Sequence, residues 1–200
     1  MKSSIDGLNN SIEIDATVDI DNVSSISIKG SNNKIVIKKN TVLRNAHFIM
    51  ESDYNIVVIA ENCRITGRYI QKIVDNNVIN IGVGTTFGVV HIICGEGKKV
   101  FIGDDCMFAF DITFRTTDSH AIIDKNSKER LNFGEDIIIG SHVWIAAHSE
   151  ILKGSEIKGN SVVASKSLVS SKFTESGVVI GGVPAKIIRR GITWERPLLG

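Results

Sequence analysis

From Ile139 to Val169 an aliphatic residue recurs every six positions without a slip, at Ile139, Ile145, Ile151, Ile157, Val163 and Val169. Four places after each of the first five stands Val143, Ser149, Ser155, Ser161 or Ser167, nearly all small. An amphipathic helix would repeat near 3.6 and a half-buried strand near 2.0, so a period of six fits neither. A short fixed period is the mark of a parallel β-helix made of hexapeptides. Each hexapeptide makes one short strand and one corner, and three make one turn of a triangular coil. The aliphatic residue is expected to point into the prism. The small residue is expected at the corner, where the backbone bends.

The comb continues towards the N-terminus in triplets. Ile37, Leu43 and Ile49 form one; Ile81, Phe87 and Ile93 another; Ile102, Phe108 and Phe114 a third. Ile59 and Ile65 fit as well, with Gln71 in the last slot. Starts at 37, 59, 81 and 102 lie 22, 22 and 21 residues apart. Eighteen residues complete a turn, which leaves three or four for a small excursion in each coil. Ser31-Asn32-Asn33, Glu51-Ser52-Asp53, Asp75-Asn76-Asn77 and Gly95-Glu96-Gly97 supply these, rich in turn-forming residues. Stacked coils of this kind share one continuous core.

The pattern divides a single all-β domain into parts. Residues 1–30 keep only a faint comb (Val18, Ile20, Ile26, Ile28) and read as an irregular capping coil. Residues 31–114 are β-helix coils. From 115 to 138 the comb is lost, and a loop this long in a compact domain is usually functional or disordered. Coils resume over 139–183. Residues 184–200 form a basic tail in which Pro184 suits a helical first turn, so a short helix is predicted over 185–190.

Composition changes this picture little. Aromatics are 6% of the chain and there are two prolines, as suits coils filled by Ile and Val. A formal charge of +1 gives no argument for nucleic acid or a membrane surface. No apolar run approaches a membrane span, and the first ten residues lack the apolar core of a secretory signal. Cys63, Cys94 and Cys106 have no metal-type spacing; Cys63 and Cys106 fall four places after a comb Ile, as buried small fillers. A reduced, cytoplasmic protein is expected.

Three motifs carry a resemblance. They are Asp118-Ser-His-Ala-Ile-Ile-Asp124, the run Ile139-Gly-Ser-His-Val-Trp-Ile-Ala-Ala-His-Ser-Glu-Ile-Leu-Lys-Gly-Ser-Glu-Ile157, and Gly182-Val-Pro-Ala-Lys-Ile-Ile-Arg189. In this order they resemble the catalytic loop, the coil repeats and the closing motif of the hexapeptide-repeat acyltransferases. The resemblance implies a left-handed parallel β-helix, a homotrimer with active sites between subunits, and acetyl transfer from acetyl-CoA to a hydroxyl or amine. His142-Val-Trp-Ile145 with the tail Ile192-Thr-Trp-Glu-Arg-Pro197 is similar to enzymes that O-acetylate bacterial capsule and surface polysaccharides, polysialic acid included. A small acceptor such as a sugar, serine or amino sugar is the alternative. The Gly that often follows Trp-Ile is here Ala146, and the usual Gly-Ala-Gly-Ser corner reads Ala164-Ser-Lys-Ser167.

The residues supply matching chemistry. Transfer to a sugar hydroxyl needs a base, and an imidazole, neutral near pH 7, can take that proton as the bond forms. His120 is the candidate, with Asp118 or Asp124 to hold its other nitrogen. Trp144 is expected to point outward and, by resemblance, to line the acceptor and acetyl site. Lys186, Arg189 and Arg190 are candidate contacts to coenzyme phosphates. Ala146, Ala164 and Ser165 fall where the family's backbone meets pantetheine, and Lys166 either crowds that groove or reaches a phosphate. Arg115 is placed to pair with an acidic sugar, and His142 to shape the site. His47 and His91 are expected at small-residue corners, and His148 on an exposed face. No metal is expected. The rival is a gamma-type carbonic anhydrase, which would need His91, His120 and His142 to converge on zinc.

Overall fold

The computed structural model describes residues 1–198 and winds them into a parallel β-helix of about eight turns. The first face of the prism carries strands from Ser11–Ile14 through Lys99–Ile102 and Ile137–Ile139 to Lys172–Phe173. The second runs through Thr86–Phe87, Met107–Phe108, Trp144–Ile145 and Val162–Val163 to Val178–Gly182. The third includes Lys2–Asp6, Val90–Gly95, Ile112–Arg115, Glu150–Leu152 and Leu168–Val169. Two longer strands, Val42–Met50 and Arg64–Lys72, pass from the second face to the third.

Coil register follows the spacing in the sequence. Ile37 pairs with Ile59, Ile59 with Ile81 and Ile81 with Ile102. Ile102 then pairs with Ile139 across the long loop, and Ile139 with Ile157. The comb residues Ile139, Ile145, Ile151, Ile157, Val163 and Val169 are all buried, as are the serines between them. Each such aliphatic side chain contributes about 1.5–3 kcal/mol by leaving water. The serine hydroxyls close off corner carbonyls: Ser149 donates to Ala146 (2.9 Å) and Ser167 to Ala164 (2.6 Å). A bulkier apolar residue would leave those carbonyls unpaired. Inside the prism Phe48, Tyr69, Phe87, Phe108 and Phe114 stack in sequence, with centroids 5.0–6.4 Å apart.

The excursions between coils hold a buried amide ladder. Asn33 donates its backbone N–H to Asn10 (2.9 Å), Asn55 to Asn33 (2.8 Å) and Asn77 to Asn55 (3.1 Å). Gly97 N–H ends the ladder on the Asn77 side-chain oxygen (3.0 Å). Burial is tolerated because each side chain meets the next coil's backbone.

Four sequence expectations need correction. Ile49 and Ile93 stand outside the prism, while Phe48 and Ile92 point in. Phe48 follows Leu43, and Ile92 follows Phe87, by five positions instead of six, and two-residue alternation takes over from the comb along the third face; in the first case a left-handed Asn45 (φ 48°) and a register shift between Leu43 and Ala46 mark the corner. Gln71 is fully buried rather than out of place, its Nε2 donating to the Ile56 (3.0 Å) and Asn77 (2.7 Å) carbonyls. His47 and His91 are not corner residues; they stand half-buried on the outside of the third face, each in register with Arg68. The helix predicted over 185–190 is a strand, Ala185–Arg190, antiparallel to Val178–Gly182. Val178–Gly182 is the last strand of its face, and the Val183-Pro184 turn folds the chain back to satisfy its open edge. Ile187 and Ile188 suit a strand. The described residues contain no helix.

Candidate active site

The comb-free loop leaves the prism at one corner. Ile112–Arg115 ends a third-face strand, Ile137–Ile139 begins a first-face strand, and the chain between them is extruded. Three side chains fasten it. The Glu96 carboxylate accepts from the Thr117 hydroxyl, from Arg130 Nη2 (2.8 Å) and from the Gly134 N–H (3.1 Å). The Arg130 hydrogen bond, helped by Thr117 and Gly134, outweighs desolvation and pulls the Glu96 carboxyl down to about 2. Lys153 Nζ holds Asp118 at 2.5 Å and the Asn132 carbonyl at 3.1 Å. Asn132 donates to Asp118 (2.7 Å) and to the His120 carbonyl (2.8 Å), and accepts from the Ile122 N–H (2.6 Å).

This frame fixes the backbone at His120 and leaves its side chain exposed. Neither expected orienter holds the ring within one chain. The Asp118 carboxylate is taken by Lys153 and Asn132, Lys153 chiefly holding it below the usual carboxylate range. Asp124 accepts the N–H groups of Asn126 and Ser127 (both 2.8 Å), closing a turn within the loop.

Trp144 lies elsewhere. It is half-buried on the outside of the second face, in register between Met107 and Val162. In a three-sided coil, the second face lies opposite the corner where the third face meets the first. One chain therefore keeps Trp144 and the root of the His120 loop on opposite sides. His142 sits at a third location, the corner before Trp144, with φ 56°. Its Nδ1 lies 2.8 Å from an Asp105 carboxylate oxygen and its Nε2 3.0 Å from the Trp194 carbonyl. His91 stands on the third face, His120 on the extruded loop and His142 at the corner before the second face. No group of three or more metal-type side chains converges among the described residues.

The corner between the second and third faces carries small residues, one above another. Ala109 N–H bonds Ile145 O, Ala146 N–H bonds Val163 O, and Ala164 N–H bonds Ile180 O, all at 2.8–2.9 Å. Ser165 and Lys166 stand exposed beside them. The basic side chains are spread out: in register Lys186 stands against Gly181, Arg189 against Val179 and Arg190 against Val178. Arg190 already pairs with Glu175 (3.1 Å). Arg115 is half-buried on the third face between Ile93 and Leu152.

No protein-family model matches the chain. It is 34% identical to the polysialic acid O-acetyltransferase of Neisseria meningitidis over 192 residues, 96% of this chain and 88% of that one. The chain belongs to the hexapeptide-repeat acyltransferases, in the company of the polysialic acid O-acetyltransferases. The crystal structure of the polysialic-acid-specific acetyltransferase NeuO matches 98% of the chain and 89% of its own, with a TM-score of 0.86 and 34% identity. That of the polysialic acid O-acetyltransferase OatWY matches 100% and 93%, with a TM-score of 0.71 and 30% identity. The coil is thus the left-handed β-helix of this acyltransferase family.

Within this acyltransferase, motif reading picked out His120 and Trp144 but not what holds them. Glu96, Asn132 and Lys153 around the loop, and Asp105 beside His142, carry no motif; Trp194 falls in the tail motif, with no sign there that it meets His142. Glu96 meets partners 21–38 residues away in the chain, and nothing local marks such pairs. One signal was available for Trp194: it is one of two tryptophans in a chain poor in aromatics.

Proposed function

We propose that the protein transfers acetyl from acetyl-CoA to a sugar hydroxyl of a bacterial capsular or surface polysaccharide, with polymers of sialic acid as the first candidate acceptor. The observation that carries this is likeness along nearly the whole chain to enzymes named for that reaction. His120 takes the acceptor hydroxyl proton while the oxygen attacks the thioester carbonyl. The tetrahedral intermediate then collapses, the C–S bond breaks, and the thiolate leaves to be protonated as free coenzyme. A backbone N–H beside Trp144 faces the oxyanion, and such a donor typically contributes about 10²–10³-fold.

The opposite placement of Trp144 and the His120 loop supports a homotrimer, in which His120 of one subunit faces Trp144 of the next. The small-residue corner along Ala146 and Ala164 is the bed for pantetheine, with Ser165 and Lys166 at its rim. Lys186 and Arg189 are the coenzyme phosphate contacts best placed for that role, since Arg190 is paired with Glu175. Arg115 is a contact for an acidic sugar. The working compartment in this reading is the cytoplasm, where acetyl-CoA is made.

Purified protein is incubated with acetyl-CoA and, in parallel, polysialic acid, a neutral polysaccharide and monosaccharides. Thiol release is followed and the product located by NMR. Thiol release with an O-acetylated polymer is expected, and His120→Ala should lower kcat by about 10²–10⁴-fold. Release only with monosaccharides would favour the small-acceptor alternative. No release with any acceptor, or wild-type kcat in His120→Ala, would defeat the reading.

A further inference from the structure

The segment after the last strand returns across the second face and is locked there. Trp194 is 6% exposed, although it lies in a tail beyond the last strand. Its indole stacks on the His142 ring at 4.2 Å and 10°, and its Nε1–H donates to the His142 carbonyl (2.9 Å). His142 Nε2 in turn lies 3.0 Å from the Trp194 carbonyl, so a stack and two polar contacts join the two residues.

Arg196 completes the lock. Its guanidinium donates to Asp105 (2.9 Å), to the Thr86 hydroxyl (2.9 Å) and to the carbonyls of Gly84 (3.2 Å) and Cys106 (3.1 Å). Asp105 thereby holds both His142 and Arg196. Burial pushes its carboxyl up, but these two hydrogen bonds and charges more than offset that and leave it below the ordinary carboxylate range.

The lock adjoins Trp144. The two indoles lie 6.2 Å apart at 49°, and a cavity of about 480 Å³ opens between them, bounded also by Met107, Arg196 and Pro197. Met107 is the coil neighbour below Trp144. Trp144 therefore has Met107 and Val162 as coil neighbours and Trp194 of the tail beside it.

We propose that Trp194 and Arg196 are positioning residues that clamp the C-terminal tail against His142 and set the ring of Trp144 for acetyl transfer. This rests on the proposed function only in its kinetic part. Loss of the clamp leaves the coils intact and frees Trp144 to turn, and misplacement of about 1 Å can lower turnover by about 10²-fold.

The test uses the full chain and two readouts. Trp194→Phe leaves Trp144 as the sole tryptophan, so acrylamide quenching reports on that ring alone. Adding Arg196→Ala to Trp194→Phe should raise the quenching constant; an unchanged constant would overturn the clamp. In kinetics, Trp194→Ala and Arg196→Ala should each lower kcat by about 10- to 100-fold, with KM for acetyl-CoA unchanged and the mass of the native assembly retained. Trp194→Phe, which keeps the stack and loses the N–H donor, should fall between Trp194→Ala and wild type. Wild-type kcat in both alanine variants, or a loss that tracks dissociation of the assembly, would sink the proposal. If the wild-type protein itself releases no thiol, the proposed function fails, while the quenching result still decides the clamp.

Discussion

Lys166 stands at a corner of the prism with φ 57°, a conformation that glycine adopts freely and other residues adopt under strain. The motif of the family has glycine here, so the departure visible in the sequence falls on a residue that the backbone would rather have small. Lys166→Gly should raise the urea midpoint, by a stabilisation of up to about 1 kcal/mol. If Lys166 also reaches a coenzyme phosphate, the same variant should raise KM for acetyl-CoA; an unchanged KM would assign the residue to the corner alone. Ile151 tests the core in the same way, being fully buried on the comb. Ile151→Ala should lower stability by about 2–5 kcal/mol, read from the urea midpoint, and a loss under 1 kcal/mol would mean that the prism closes over the gap. At this scale the sequence was readable wherever six-residue spacing held, because one slot serves one role. It misplaced Ile49 and Ile93 because one residue fewer at the corner, after Leu43 and again after Phe87, moves the inward slot one place earlier. Nothing in residue type announces that.

Among the elements, the loop could be located from the sequence as an absence of pattern, but its shape could not. Its shape depends on Glu96, a residue that sits in one of the turn excursions and reads as solvent-exposed. Glu96→Ala should loosen the loop by about 2 kcal/mol, the usual size for a charge-assisted hydrogen bond, read as faster amide exchange at residues 117–134 with the coils unchanged. The pH dependence has a definite sign. The carboxyl falls from an ordinary 4.5 in the open chain to about 2 in the fold, so its contribution is complete above about pH 4.5 and fades as pH drops towards 2. Protection factors in the loop, taken relative to the intrinsic exchange rate at each pH, should therefore fall in acid before the coils open, and in Glu96→Gln this acid-specific fall should be gone. The terminal element was misjudged for a related reason. Pro184 satisfies the local rule for a helix start, yet the open edge of Val178–Gly182 offers a row of backbone partners that no local rule registers.

The whole molecule sets His120 and Trp144 on opposite sides of one chain, which a complementation experiment can use. His120→Ala and Trp144→Ala subunits, each inactive alone, are co-expressed. In a ring where each site takes one residue from each neighbour, about a quarter of the sites would hold both wild-type residues, and activity should recover to roughly that level. Activity that stays at the level of the parents would place both residues of a site in one subunit. The architecture at this scale was legible almost throughout, since the spacings of 22, 22 and 21 residues are the pairings found between Ile37, Ile59, Ile81 and Ile102.

The pairing of Ile102 with Ile139 has a further consequence. These residues meet as neighbouring coils do elsewhere, although 37 positions separate them rather than about 20. The prism thus treats the inserted stretch as having no length, and lengthening a closed loop raises its entropic penalty only slowly, by about 0.6 kcal/mol per doubling. The fold has a splice point at this corner. A foreign segment joined there, between Arg115 and Ile137, would leave every coil in place. Descendants of such a protein can therefore exchange this one stretch of chain without solving the folding problem again.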